Sequence, residues 1–214
     1  HNYARYYGKP IGGGEVTVAD FADFWRRLAA EFADDEGVWF GLVNEPHDMP
    51  TKQWFDAANA AIAAIRQAGA KNLILVPGNA WTGAHSWSND GYGGGSNARH
   101  VLDVHDLLDH WAIEVHQYLD ADSSGTKREV VSPTIGSERL KGFVAWCREH
   151  RKRAFLGEFA VPATPLAERA LKDMFETMER DRDVWLGWTW WAAGAWWGDY
   201  MFSIEPKNGM DRPQ

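Results

Sequence analysis

Two glutamates follow directly on short apolar runs of the sequence, which is an uncommon place for a carboxylate. Glu45 comes with Asn44 at the end of the run Val38–Val43, and Glu158 follows the run Ala154–Gly157. A carboxyl group can donate or accept a proton, or attack an electrophilic carbon. Because the end of a strand holds its residue rigidly, both glutamates are candidates for chemistry that needs accurate placement.

Further polar and aromatic residues follow the other apolar runs. The run Ala112–Val115 leads to His116 and Tyr118, and their two-residue spacing directs both side chains to one side of an extended segment. The corresponding positions elsewhere include a histidine and two tryptophans: His1, Trp81 and Trp191. If the runs are neighbouring strands, these side chains converge on one cleft.

Two carboxylates with flanking aromatic side chains are typical of sites that cleave glycosidic bonds. One carboxylic acid protonates the leaving oxygen while a second carboxylate meets the cationic sugar carbon. The acid needs a raised pKa to keep its proton near the working pH, whereas its partner stays ionised. Aromatic faces offer platforms for sugar rings, and the chain has 13 tryptophans in 214 residues. The residues therefore favour a saccharide as the ligand.

A metal site is a weaker interpretation of the same polar residues. His1, Glu45, His116 and Asp120 are conceivable ligands, but the sequence has no H-x-H, H-E-x-x-H or paired Cys/His spacing. We expect no metal and no cofactor. The remaining histidines outside the Asn-Glu-Pro block are interpreted as structural: His85, His100, His105, His110 and His150.

Composition excludes several other classes of protein. The net charge is −8 and the basic residues are scattered, which argues against a nucleic-acid partner. No stretch approaches the roughly 18 apolar residues of a membrane-spanning helix, and the one cysteine, Cys147, cannot form an internal disulfide. We expect a monomer that binds neither nucleic acid nor membrane.

The apolar runs alternate with amphipathic segments, a pattern that predicts a parallel sheet covered by helices. The predicted strands are Val38–Val43, Leu73–Val76, Ala112–Val115, Ala154–Gly157 and Trp185–Trp190. A sixth strand is predicted to end at His1–Tyr3. The chain can then form either a barrel or a doubly wound open sheet.

The predicted helices begin with a capping box at Thr17 and Asp20, after which apolar residues recur at helical spacing. Those residues are Phe21, Phe24, Trp25, Leu28 and Phe32. The later helices are predicted at Lys52–Ala68, at Glu138–His150 and from Thr164–Pro165 onward, with a less periodic one at Arg99–His110.

The position of the polar clusters favours the barrel. They follow several different strands at the carboxyl ends, as in (β/α)8 TIM-barrel sites. The glycine runs Gly12–Gly14 and Gly93–Gly95 are outside a G-x-G-x-x-G frame and indicate loops. We expect one catalytic barrel domain over residues 1–214, covering about the last six strand–helix units. Since a barrel has eight strands, an upstream N-terminal segment is expected to close it.

Five ordered blocks of the sequence resemble glycoside hydrolase family 5, the cellulase family of clan A. The block VWFGLVNEPHD resembles the family's Asn-Glu-Pro signature. The other blocks are HNYARYYGKPIG, LVPGNAWTGA, VHQYLDADSSGT and WLGWTWWAAG. The resemblance extends from His1 to about Glu205 and is strongest to the secreted fungal and bacterial endo-β-1,4-glucanases.

The resemblance implies a retaining barrel hydrolase that cuts internal β-1,4-glucosidic bonds. Glu45 matches the general acid/base at the end of the family's fourth strand, and Glu158 matches the nucleophile at the end of the seventh. Retention implies that the two carboxyls lie about 5–5.5 Å apart. The implied ligand is a β-glucan polysaccharide or a cello-oligosaccharide, and the implied location is extracellular.

The resemblance also assigns substrate-binding residues. Asn44 matches the asparagine that holds the sugar 2-hydroxyl, and His116 and Tyr118 match the His-x-Tyr pair, with the tyrosine oriented toward Glu158. Trp191 and His1 match residues that line the cleavage subsite. Trp81 is the best candidate for a further stacking platform, followed by Trp87, Trp196 and Trp197.

Two alternatives remain on the same scaffold. A β-mannanase or a xyloglucanase would use the same chemistry in a different cleft, and the sequence separates these poorly. A non-catalytic sugar-binding barrel would lack one glutamate, so the presence of both Glu45 and Glu158 argues against it. The family also uses an arginine near the second strand, in a part of its pattern that comes before His1. This arginine and two strands would come from upstream sequence or from another chain, and we expect upstream sequence.

Overall fold

The structure, a computed structural model, describes residues 1–91 and 93–212, which fall into two units divided between Glu114 and Val115. The first unit contains β1 (Arg5–Tyr6), β2 (Lys9–Pro10), α1 (Val18–Phe32), β3 (Phe40–Gly41), α2 (Thr51–Gln67), β4 (Ile74–Pro77) and α3 (Asn97–His100). Strand β5 (Trp111–His116) begins in the first unit and ends in the second. The second unit continues with α4 (Ile135–Glu149), β6 (Ala154–Glu158), α5 (Pro165–Arg180) and β7 (Trp185–Trp188).

Parallel pairing in the first unit follows the order of the strands along the chain. Phe40 of β3 is in register with Ile74 of β4, and Ile74 is in register with Trp111 of β5. Strand β4 is buried along its whole length, as expected for an apolar strand covered on both faces. The strand predicted at Val38–Val43 is shorter in the structure, where it covers Phe40–Gly41. Beyond its end, the backbone N–H of Leu42 still donates to Leu75 O at 3.1 Å.

Two tryptophans fasten the helices of the first unit to its strands. In α1 the indole N–H of Trp25 donates to Leu42 O at 3.2 Å, and in α2 that of Trp54 donates to Pro77 O at 2.7 Å. Both rings are buried, so each indole satisfies its own donor while it covers the sheet. These bonds hold the ends of β3 and β4, where the polar segments begin.

The capping box of α1 is confirmed. Thr17 Oγ1 accepts from Asp20 N at 3.1 Å, and Asp20 Oδ2 accepts from Thr17 N at 2.9 Å. Of the apolar residues in the helical pattern, Phe21 and Trp25 are buried, whereas Phe24 and Phe32 are 55% and 41% exposed. The buried stripe of this helix is therefore narrower than the spacing predicts.

The predicted helix Arg99–His110 is largely wrong. Helix α3 is capped by Ser96 and ends at His100, with one 3₁₀ turn after it. The carboxylate of Asp106 explains the break, because it accepts from Leu108 N and His110 N. It also forms a buried ion pair with Arg66, whose Nε lies 2.8 Å from Oδ1. Local side-chain bonds of this kind compete with a helix for the backbone donors.

The N-terminal residues differ from prediction as well. His1–Tyr3 is not a strand, and Tyr3 and Ala4 both have φ of +58°. Strands β1 and β2 form an antiparallel hairpin instead, with Arg5 opposite Pro10. Gly8, at φ +77°, allows the tight turn between them.

In the second unit β6 and β7 run parallel, with Ala154 in register with Trp185. Helix α5 begins as predicted, since Thr164 Oγ1 accepts from Ala167 N at 3.2 Å and Pro165 opens the first turn. Helix α4 packs closely on α5 at Gly136, where an added Cβ would lie 2.5 Å from Met174 Cβ. Among the helices of the described residues, none is long and apolar enough to cross a membrane.

Candidate active site

Glu158 is the last residue of β6 and is buried, with 5% of its surface exposed. The Tyr118 hydroxyl donates to its Oε1 at 2.9 Å, and His116 Nδ1 lies 2.7 Å from its Oε2. The backbone N–H of Gln117 donates to Glu158 O at 2.9 Å. Gln117 thus holds the main chain of Glu158, Tyr118 donates to one carboxylate oxygen, and His116 contacts the other.

The prediction that His116 and Tyr118 point to the same side is confirmed, since both side chains reach the same carboxylate. Hydrogen bonds to an ionised acceptor are stronger than neutral ones. A carboxylate with a hydrogen bond on one oxygen and an imidazole ring against the other is restrained in its orientation and presents the same lone pairs to a ligand. This arrangement suits a nucleophile that must attack one carbon from one direction.

Tyr200 lies near the same carboxylate and was missed by sequence reasoning. Burial and the negative charge of Glu158 raise the pKa of Tyr200 to about 12, and a hydrogen bond with Tyr118 acts in the opposite direction. The ring also contacts Trp197 and Phe202, at centroid distances of 5.2 and 5.7 Å. Tyr200 is far along the chain from Glu158 and follows no strand, so no sequence pattern marks it.

Trp191 is partly buried and is tied to the end of β6. Its backbone N–H donates to the carbonyl of Phe159, the residue after Glu158, at 3.0 Å. Its ring meets Trp197 edge-on, with centroids 4.7 Å apart and planes at 69°. Trp196, by contrast, is 92% exposed. The second unit therefore brings His116, Tyr118, Glu158 and Trp191 into one connected set.

In the first unit Glu45 lies four residues beyond β3 and has a left-handed backbone, with φ of +46°. The Asn44 side-chain amide donates to Glu45 Oε2 at 3.3 Å. The same Nδ2 lies 3.3 Å from His1 Nε2. His1, Asn44 and Glu45 are thus brought together as predicted. The left-handed φ of Glu45 costs free energy and persists only where the surrounding structure imposes it.

Trp81 lies on the loop after β4 and is 47% exposed. Ala80, Trp81 and Thr82 all have positive φ, between +51° and +56°. The backbone N–H of Trp81 donates to Pro46 O at 3.1 Å, which connects the loop to the residue after Glu45. The predicted platform is therefore accessible and is attached to the segment that carries Glu45.

The other tryptophan candidate of the first unit is placed wrongly by the sequence. Trp87 is only 1% exposed and belongs to the core, so it cannot present a face to a ligand.

Asp120, a conceivable metal ligand in the sequence, is buried in the second unit, and its carboxylate accepts hydrogen bonds from its own loop. It accepts from Gly125 N and from Ser124 Oγ, both at 3.1 Å.

Two of the histidines interpreted as structural contact backbone carbonyl groups. His100 Nε2 lies 2.7 Å from Gly94 O, and its ring stacks on Phe55. His110 Nδ1 lies 2.7 Å from Lys71 O. The glycine runs lie in loops, as predicted.

Comparison with known proteins places the chain in a family. Residues 1–194 match the family model described as Cellulase (glycosyl hydrolase family 5). The chain is 46% identical to endo-beta-1,4-glucanase A of Emericella nidulans over 98% of its length and 61% of the relative's. It is 42% identical to endo-beta-1,4-glucanase B of Aspergillus niger over 98% of its length and 60% of the relative's. The chain thus spans about three fifths of these curated relatives.

Solved structures give the same result. The chain superposes on an endo-beta-1,4-glucanase from Xanthomonas axonopodis pv. citri with a TM-score of 0.96 at 52% identity, covering all of this chain and 68% of the other. It matches XacCel5A in complex with cellopentaose at 0.96 and 53%, covering all of this chain and 69% of that one. The fold is accordingly the predicted (β/α)8 barrel in part. The chain belongs to the cellulase family, glycosyl hydrolase family 5.

Proposed function

We propose that the protein carrying this chain is a retaining endo-β-1,4-glucanase. The observation that carries the proposal is the buried Glu158, whose two carboxylate oxygens are contacted by Tyr118 and His116. Such a group is suited to act as a nucleophile on a sugar carbon. The named activities of relatives that are 42–46% identical to the chain support β-1,4-glucan as the substrate.

The first chemical step is glycosylation of Glu158. A carboxylate oxygen of Glu158 attacks the anomeric carbon, and the glycosidic C–O bond breaks as Glu45 gives its proton to the leaving oxygen. The product is a covalent glycosyl-enzyme and a shortened glucan chain. Tyr118 keeps the attacking oxygen oriented, and Asn44 holds the 2-hydroxyl of the reacting sugar.

The second step is hydrolysis of the glycosyl-enzyme. Glu45, now a carboxylate, takes a proton from a water molecule as that water attacks the anomeric carbon. The bond to Glu158 breaks and its carboxylate is restored, so the sugar leaves with its original configuration. Trp191 and His1 line the cleavage subsite in this scheme, and Trp81 binds a further ring.

Cellulose is an insoluble polymer, so an enzyme that cuts it must meet it outside the cell. We accordingly place the protein in the extracellular space and expect it to act as a monomer. Its ligand is a β-glucan polysaccharide or a cello-oligosaccharide, without a metal or an organic cofactor.

Reducing-sugar release tests the proposal directly. Carboxymethyl-cellulose and mannan are each digested with the protein, including any sequence that precedes His1, in the presence of a chelator. We expect the cellulose derivative to be cut and mannan to be spared. Preference for mannan would keep the mechanism and replace the substrate, and inactivity on both would reject the proposal.

A further inference from the structure

His47 lies directly against the exposed platform of the first unit. The rings of His47 and Trp81 are stacked, with centroids 4.6 Å apart and planes only 13° from parallel. Trp81 is 47% exposed as a whole residue, whereas the His47 side chain is 19% exposed. The imidazole therefore supports the indole from within the protein.

The orientation of the imidazole is itself fixed by two neighbours. His47 Nδ1 lies 2.8 Å from Asp48 Oδ2, and the ring of Tyr3 meets it at 5.2 Å and 62°. The backbone of Asp48 is held in turn, because its carbonyl accepts from Arg5 Nη2 at 3.3 Å. A ring held at one nitrogen and along one edge cannot rotate freely about its Cβ–Cγ bond.

The backbone of Trp81 is in a conformation that needs such support. Positive φ at three consecutive non-glycine residues costs free energy at each and persists only where the surroundings impose it. Thr82 helps to impose it, since its hydroxyl accepts from Gly78 N at 2.7 Å and donates to Glu114 O at 2.6 Å. The main chain is thus fixed by Thr82, while the plane of the Trp81 ring is set against His47.

We infer that His47 is a positioning residue, which sets the plane of Trp81 for stacking against a glucosyl ring of the substrate. The inference rests on the proposed function. It explains why an anchored imidazole lies two residues after Glu45, in the segment whose carbonyl at Pro46 receives the Trp81 N–H. The supporting imidazole of His47 and the indole of Trp81 therefore lie on two loops, after β3 and after β4, that are hydrogen-bonded to each other.

The inference is tested by measuring the Kd of cellopentaose for the Glu158→Gln protein by calorimetry. Into that background we introduce His47→Ala, His47→Phe, Trp81→Ala and the double substitution of His47 and Trp81 by alanine. Loss of an aromatic partner from a stacked pair predicts a Kd about 3- to 10-fold higher for His47→Ala. His47→Phe keeps a flat face but not the Asp48 contact, so it should recover part of the affinity and also covers the case in which the alanine variant folds poorly.

A matched control is available in the second unit. His150 packs against Trp146 at the same centroid distance, 4.6 Å, at the end of α4. His150→Ala should leave the Kd unchanged. In catalytically competent protein, His47→Ala should raise KM with kcat within about 2-fold, because a platform acts on binding in the ground state and the transition state alike.

The double substitution separates positioning from general stability. If His47 acts through Trp81, then adding His47→Ala to Trp81→Ala should change the Kd no further. Additive effects, or a Kd for His47→Ala equal to that of the parent, would overturn the inference alone. If the parent binds no cellopentaose and the wild type cuts no glucan, the proposed function fails and the inference fails with it.

Discussion

The two glutamates are held in contrasting ways by the two units. Glu158 ends a regular strand, is 5% exposed and has Tyr118 and His116 on its two oxygens. Glu45 is partly buried, lies beyond the end of its strand and has a left-handed backbone at φ +46°. In the proposed mechanism the first must stay fixed and ionised, whereas the second must exchange a proton with water. The deeper burial and the side-chain contacts of Glu158, compared with the partly buried Glu45, fit these two proposed roles.

The most severe way to break this contrast is to remove Glu158, the proposed nucleophile. Glu158→Gln keeps the shape but not the charge, and we expect kcat on carboxymethyl-cellulose to fall by on the order of 10⁴- to 10⁶-fold, as for the loss of other catalytic nucleophiles. Glu31→Gln, an exposed position on α1, is the matched control. Activity of Glu158→Gln within 10-fold of wild type would contradict the assignment.

The acid/base role proposed for Glu45 predicts a loss of activity that depends on the leaving group. For Glu45→Gln we expect about 10²- to 10⁴-fold lower kcat on the polysaccharide, the usual contribution of a positioned acid. Aryl cellobiosides with an acidic phenol need little protonation, so their first step should be much less affected. Equal losses on the polysaccharide and the activated glycoside would show that Glu45 is not the acid.

The hydroxyl of Tyr118 tests how much the support of Glu158 is worth. Tyr118→Phe removes the 2.9 Å hydrogen bond and little volume. A hydrogen bond to a charged group is worth about 1.5–3 kcal/mol, so kcat/KM should fall roughly 10- to 100-fold. Tyr7→Phe, at an 87% exposed position, should be silent. If kcat/KM of Tyr118→Phe equals that of the wild type, the Tyr118 hydrogen bond is not needed and the contact with His116 suffices to orient the carboxylate of Glu158.

The smallest expected effect is on stability at alkaline pH and concerns the second unit. Burial raises the pKa of the Cys147 thiol to about 12 from an ordinary 9.0, and that of Tyr200 rises to about 12 from 10.0. The folded chain then keeps protons that the unfolded chain has lost. Their contribution to stability is complete below pH 9 and is lost as the pH rises toward 12.

Urea unfolding between pH 8 and 11 measures this dependence. Cys147→Ala removes one of the two groups, so the free energy of unfolding should fall less steeply with pH than in wild type, whatever its absolute value. An identical slope would indicate that the thiol of Cys147 is not protected from ionisation in the folded state.

Much of the site follows from residues that are close in the sequence. Glu158 is set by an apolar strand, and the pair at 116 and 118 is set by the period of extended chain, so both could be predicted. The capping box at Thr17 is equally local. Where one element decides a residue's direction, the sequence is sufficient.

The errors arise where distant residues decide. Trp81 and Trp87 are the same amino acid in one connection, between β4 and α3, yet Trp87 is buried in the core and Trp81 is exposed because of what packs around them. The helix predicted around Asp106 is broken partly by a carboxylate that also pairs with Arg66, 40 positions earlier. Tyr200 reaches the surroundings of Glu158 through tertiary packing alone.

The central claim is that the two glutamates have different roles, and covalent trapping tests it most directly. A 2-deoxy-2-fluoro β-cellobioside with a dinitrophenyl leaving group should glycosylate the enzyme and hydrolyse slowly, and peptide mass spectrometry then locates the sugar. We predict a label on Glu158 in the peptide that contains Gly157 and Phe159. A label on Glu45 would reverse the assignment, and turnover with inverted product and no label would contradict the retaining mechanism.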